Sequence, residues 1–211
     1  MPAKRSVHIR EYLLKNMNLV IRCLILSDVI WIGALGLLGP IFALFIVDFI
    51  EGGNAAVAGA AASIFLVTKS VLQIPAAAII DRVCGEDDDF QFIFFGSLAG
   101  AIIPILYLFI HTPLQLYAVQ FLYGVALAFT FPSYMAIFTR HIDKTREGTE
   151  WGIYFTLVDF SSAIAASLGG IFATTIGYKS LIVVVVTVSL LGVFFLYPIR
   201  TKLFRCKNLA A

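Results

Sequence analysis

The sequence predicts an all-α polytopic membrane protein, and three observations carry that prediction. Hydrophobic residues fill 60% of the 211 positions and charged residues only 13%, with a mean hydropathy of +0.95; a soluble domain has no interior large enough to hide that much apolar surface. Apolar segments close to the ~20 residues that a bilayer demands recur along the whole length and leave no room for a separate soluble domain. None alternates with period two, and backbone amides in hydrocarbon must be satisfied within their own segment, so helices follow rather than a barrel.

Six spans are expected, at 19–47, 55–80, 91–110, 115–138, 151–176 and 180–199, joined by short polar or Gly/Pro-marked connections. They divide the chain into a basic leader (1–17), a six-helix transmembrane domain (18–199) and a tail (200–211). In the leader, Val7, Ile9, Tyr12, Leu13 and Leu14 interleave with charges, as in a helix lying on the membrane surface; a plain juxtamembrane anchor is the other reading. No small-residue cleavage site follows it, so a removed signal is not expected.

The first span carries Asp28 together with Gly33, Gly36, Gly39 and Pro40, and the second carries Lys69. Before the third lies the acidic run Glu86, Asp87, Asp88 and Asp89, which lacks calcium-loop spacing and reads as a solvated loop, so no metal is expected. The fourth span holds Gly124 and Pro132, in an order of glycine, proline and aromatics that echoes the first. Such an echo fits a three-plus-three repeat, although simple proline kinks explain each proline separately. The fifth span contains Asp159 and many small residues.

The basic residues orient the bundle. An even number of spans places both termini on one side, and thirteen of the fifteen lysines and arginines fall in the leader and just beyond it at Arg22, in the second and fourth connections or in the tail. The positive-inside rule then puts both termini in the cytoplasm, in a plasma or inner membrane. Cys23, Cys84 and Cys206 have no metal-like spacing and lie at or near that reducing side, so no chemistry or cofactor is assigned to them.

Asp28, Lys69 and Asp159 are ionisable residues that lie deep inside the long apolar stretches. Burying such a charge costs at least ~2.5 kcal/mol, so each is expected to face a protein interior or a watery cavity. From the cytoplasmic ends of their spans they sit at depths of about 14, 18 and 12 Å, a single layer within boundary error. One cation and two carboxylates there would pair, and a proton or cationic solute that replaces one partner would couple binding to movement. A static ion pair that only fixes packing is the competing reading.

The fifth span carries a more specific pattern. Gly152, Ser161, Ala165, Ala166 and Gly169, with Gly170 completing a double glycine, follow the connection Arg146-Glu147-Gly148-Thr149-Glu150-Trp151. This spacing resembles the glycine-rich fifth-helix motif of the major facilitator superfamily. Ala77 through Asp81-Arg82 is similar to that family's loop between helices two and three, and Gln120-Phe121-Leu122-Tyr123-Gly124 to its fourth-helix motif. The motifs depart where Gln120 replaces an arginine and Ala165-Ala166 replace Gly-Pro, so antiport is not implied; small residues there still permit close helix packing.

The resemblance covers nearly the whole chain as one six-helix half with a 3+3 helix repeat. It implies secondary transport of a small solute by alternating access, with helices one and four lining a cavity. Trp31, Gln120, Tyr123, Thr130, Ser133 and Tyr134 would then face the solute near Asp28, or else serve packing. Asp81 and Arg82 would gate the cytoplasmic side, or cap and snorkel. It further implies a parallel homodimer that rebuilds the usual twelve helices, with helix two of one copy against helix five of the other and Lys69 facing Asp159. A non-transporting subunit or scaffold that pairs with a different chain is the alternative. An enzyme is not expected, because His8, His111 and His141 fall outside the spans and no nucleophile–base pair is apparent; nor is nucleic acid, since cytoplasmic anchoring accounts for the net charge of +2. The expected partners are therefore the lipid bilayer, a small solute and a second copy of the chain.

Overall fold

Leu14 and residues 17–82 and 85–203 are described by the computed structural model, and all structural statements refer to them. Among them, six helices are long and apolar enough to cross a membrane: Leu19–Phe49, Ala55–Ile80, Asp87–Leu108, Pro113–His141, Glu147–Thr175 and Gly177–Thr201. They are called spans one to six. The expected surface helix of the leader, the thiols of Cys84 and Cys206 and the tail beyond 203 lie outside the described residues. Leu14 and Met17 are described, and both are buried against the bundle.

Local chemistry explains where the spans begin. The Asn18 side chain accepts a hydrogen bond from the Val20 amide at 3.1 Å, and that of Asn54 accepts from Ala56 and Val57 at 2.9 and 3.1 Å. Thr112 and Gln115 cap span four reciprocally, with Pro113 at the first helical position, where its missing N–H costs nothing. Span three starts at Asp87 rather than at 91, because Asp87, Asp88 and Asp89 occupy its first turn, where acidic side chains meet the positive end of the helix dipole. Asp87, Asp88 and Asp89 are thus helical, with Glu86 at the N-cap, and not a loop.

The prolines act unequally. At Gly39–Ile41 span one passes through a short 3-10 turn that separates helices Leu19–Gly36 and Phe42–Phe49. Pro75 and Pro132 instead sit inside continuous helices. Span three finishes in a 3-10 segment, Ile103–Leu108, that contains Pro104.

Packing follows an exchange rule. Span two packs on span four as span five packs on span one, and span three packs on span four as span six packs on span one. Spans three and six also touch each other. Replacing each span by the one three places along the chain leaves this pattern intact, as a three-plus-three repeat requires. Two apolar cores fill the ends of the bundle: Ile21, Leu24, Phe138, Ile153 and Leu196 at the end where spans one, three and five begin, and Ile46, Leu116, Leu181 and Val185 at the other.

The outer helices of this arrangement are spans two and five. Only 6% of the apolar window of span two and 17% of that of span five are buried, against 44% for spans one, four and six. Val71 and Ile74 on span two, and Phe160 and Ile171 on span five, stand more than half exposed.

Candidate functional site

Asp28 lies nine residues into span one. Its Oδ2 accepts a hydrogen bond of 2.9 Å from the Tyr154 hydroxyl of span five. Tyr134 of span four joins them: its ring centroid is 5.5 Å from that of Tyr154, and its hydroxyl is within electrostatic reach of both Tyr154 and Asp28. The tyrosines are 3% and 5% exposed and stack further on Phe138 and Trp151. Three spans therefore enclose one carboxyl group with two phenols.

With the observed helix bounds, Asp28, Lys69 and Asp159 sit about 14, 16 and 18 Å along their spans from the same end of the bundle. They share a layer, yet among the described ion pairs none joins any two of them within the chain. The Lys69 ammonium stands 5.0 Å from the centroid of the Phe131 ring, in the groove between spans two and four, where a cation–π contact partly replaces its lost water. Asp159 is exposed on span five, within electrostatic reach of Tyr154.

Toward the opposite end a cavity of about 240 Å³ opens among spans one to four. Gln120 and Tyr123 line it together with Phe65, Phe42 and Tyr107, and the rings of Phe65 and Tyr123 stack at 5.2 Å. The other expected cavity residues lie elsewhere. The Trp31 indole turns to span three, donates to the Ser97 carbonyl at 3.2 Å and is 8% exposed. Thr130 and Ser133 return their hydroxyls to the Ala126 and Phe129 carbonyls at 2.9 and 3.1 Å, as hydroxyl side chains in an apolar helix do.

A charge cluster that sequence reasoning missed closes the end of the bundle where spans two and four finish. Asp89 is wholly buried and pairs with Arg140; Glu86, 2% exposed, lies 3.8 Å from Arg140 and 2.9 Å from His141 Nε2. Glu150 is also wholly buried, and its Oε2 accepts from the Asp143 amide at 3.3 Å. Asp81 and Arg82 are both exposed; Asp81 lines the groove that ends at Arg140 and acts on it electrostatically.

The small residues of span five divide into two groups. Ser161, Ala165 and Gly169 face span one: a Cβ added at Gly33 would lie 3.2 Å from Ser161 Oγ, one at Gly36 3.2 Å from Ala165 Cβ, and one at Gly169 only 2.0 Å from the Leu37 carbonyl oxygen. Backbones therefore approach to contact along this stripe. Gly152 and Gly170 have open space where a side chain would go.

Comparison with known proteins places this geometry. The family model of the Major Facilitator Superfamily matches residues 24–205. The in meso crystal structure of the POT family transporter PepTSo superposes with a TM-score of 0.73 at 15% identity, over 90% of this chain and 39% of that one. At that identity the likeness shows the fold, and the chain spans well under half the length of that relative. A comparison with curated proteins gives no significant match. With most of its length matched by the family model and six membrane-length helices in the family's fold, the chain is an integral membrane protein that belongs to the major facilitator superfamily.

Proposed function

We propose that this protein is a proton-coupled secondary transporter of a small solute, not an enzyme, working by alternating access as a parallel pair of six-helix units with both termini in the cytoplasm. Asp28 carries the reading. A carboxyl group in the membrane layer, hydrogen-bonded to Tyr154 and paired with no cation among the described residues, is held where binding a proton removes its charge. Spans one, four and five meet at that group, so its charge bears on their packing.

Solute binding is assigned to the cavity lined by Gln120 and Tyr123. No charged side chain lines it, and its chemistry suits an uncharged or weakly polar molecule that exchanges hydrogen bonds with an amide and phenols. The exposed faces of spans two and five supply the contact with a second copy, in which Lys69 of one protomer meets Asp159 of its partner. That pairing gives each charge the counter-ion it lacks among the described residues. Asp81, Arg82 and the Arg140 cluster lie at the end that would open and close toward the cytoplasm.

Purified protein in proteoliposomes tests the reading. A thermal-shift screen of uncharged solutes identifies the ligand through the stabilisation that any true ligand confers. Uptake of that ligand then rises with an inwardly directed proton gradient, and Asp28→Asn abolishes the gradient dependence while counterflow persists. Uptake indifferent to both the gradient and the substitution removes Asp28 from coupling.

A further inference from the structure

Gln120 is 5% exposed, yet no hydrogen bond joins its side chain to another described residue. A buried amide whose two N–H donors and carbonyl acceptor are left open costs free energy until something fills them. Its open side is the cavity of about 240 Å³ among spans one to four, so whatever fills them enters there. The hydroxyls of Tyr107 and Tyr123, on the same cavity, also make no hydrogen bond to a described residue and lie within electrostatic reach of each other. Aromatic rings build much of the remaining wall, in two pairs. Phe42 of span one meets Tyr107 of span three at 5.1 Å between centroids, and Phe65 of span two stacks on Tyr123 of span four at 5.2 Å.

We propose that this cavity takes a nucleobase with a lactam edge, a planar heteroaromatic ring that carries N–H and C=O on adjacent atoms, as uracil and hypoxanthine do. The inference rests on the assignment of solute binding to this cavity and names the class of solute. An amide side chain donates from its nitrogen and accepts at its oxygen in one plane. A lactam edge presents the complementary acceptor and donor side by side, so one ring satisfies both halves of Gln120 at once, as glutamine does when it reads a base edge. The faces of the ring stack on aromatic side chains, and its second polar edge accepts from a phenol hydroxyl. The cavity is smaller than the roughly 300–1,000 Å³ of a drug-sized site, which suits a base without its phosphate. A phosphate would bring charge to a lining that holds no cation. Sugars lack the aromatic face and aliphatic amides lack the ring, so the combination of edge and wall selects the base.

Equilibrium binding of radiolabelled uracil and hypoxanthine to the purified protein in detergent tests this, and needs neither a proton gradient nor transport. Saturable binding is expected. N,N′-dimethyluracil, which keeps the ring but has no N–H, and dihydrouracil, which keeps the edge but loses the aromatic ring, should each compete about tenfold or more weakly than uracil. Gln120→Leu deprives no protein group of a hydrogen-bond partner and should weaken binding about tenfold or more, while Phe65→Leu should weaken it about tenfold through lost stacking. The comparison of the three pyrimidines uses the native protein and so decides the matter even where a variant folds poorly. Failure of both bases to bind, or competition by dimethyluracil equal to that by uracil, overturns the proposal. If a different uncharged solute binds instead and loses affinity in Gln120→Leu, the cavity stands as the solute site and the nucleobase assignment falls. If the bases bind as expected and are not carried across proteoliposomes, the assignment stands and the transport reading falls.

Discussion

The Tyr154 hydroxyl donates to the Asp28 carboxylate at 2.9 Å and so ties span five to span one in the middle of the apolar layer. A hydrogen bond to a charged acceptor contributes roughly 1.5–3 kcal/mol, and Asp28 is half-buried, so water replaces a lost donor only in part. Tyr154→Phe keeps the ring and its contacts with Phe138 and Trp151 while deleting that donor. Proton-driven uptake by this variant should fall about tenfold, with a melting temperature lower by only the few degrees that one hydrogen bond accounts for. Coupling as strong as in the native protein would mean that the hydroxyl only fills space.

The stripe at Ser161, Ala165 and Gly169 makes a prediction with its own control. A methyl group at Gly169 would stand 2.0 Å from the Leu37 carbonyl oxygen, a backbone atom that moves only if span one moves. At Gly170, one residue on, nothing lies within 4 Å. Gly169→Ala should therefore cost about 3 kcal/mol or more and reduce the yield of monodisperse protein, whereas Gly170→Ala behaves as native. Size-exclusion profiles and melting curves of the two variants decide it. Equal behaviour would show that the two helices are not in contact there.

These two sites mark how far the sequence could be read. The small residues of span five were singled out by their resemblance to the family's fifth-helix motif, which did not separate Ser161, Ala165 and Gly169 from the open Gly152 and Gly170; the six spans were legible because length and hydropathy are local properties. Tyr154 was not: nothing along the chain connects it to a carboxylate 126 positions earlier until spans one and five are packed. Glu86 and Asp89 misled for a related reason. Four adjacent acids before an apolar run look solvated, and only the fold brings Arg140 and His141 against them from 51 and 55 residues away. Trp31 showed the converse error, since an aromatic residue on a cavity helix also has a side that faces the core.

The buried acids define a third prediction. Asp89 is wholly buried, and Arg140 is its paired cation while remaining 40% exposed on the other side. Removing the guanidinium leaves Asp89 and Glu86 facing each other without it, a loss on the order of 2 kcal/mol once the solvent exposure of Arg140 is allowed for. Arg140→Gln should lower thermal stability, and Arg140→Gln with Asp89→Asn should recover most of the loss, because an amide pair carries no unpaired charge. A double variant no more stable than the single one would show that the charges do not act as a pair.

Lys69 and Asp159 supply the decisive test of assembly. Each lies within the membrane layer, and among the described residues neither has an ion-pair partner: Lys69 rests on Phe131 at 5.0 Å, and Asp159 is exposed on span five. Desolvated charges at an interface cost several kcal/mol when one partner is lost and recover it when the pair is restored in either order. In a twofold pair of protomers the contact occurs twice, so Lys69→Asp or Asp159→Lys alone should dissociate the assembly. The two substitutions together should reform it, as read by mass measurement in lipid nanodiscs. Cysteines placed at the exposed Leu66 and Ala163, each one helical turn from its charge on the same face, should form an intermolecular disulfide in the native background and in the double exchange, but in neither single variant. A dimer indifferent to all three changes, or a functional monomer, would separate these charges from assembly and leave the exposed faces of spans two and five to lipid or to a different chain.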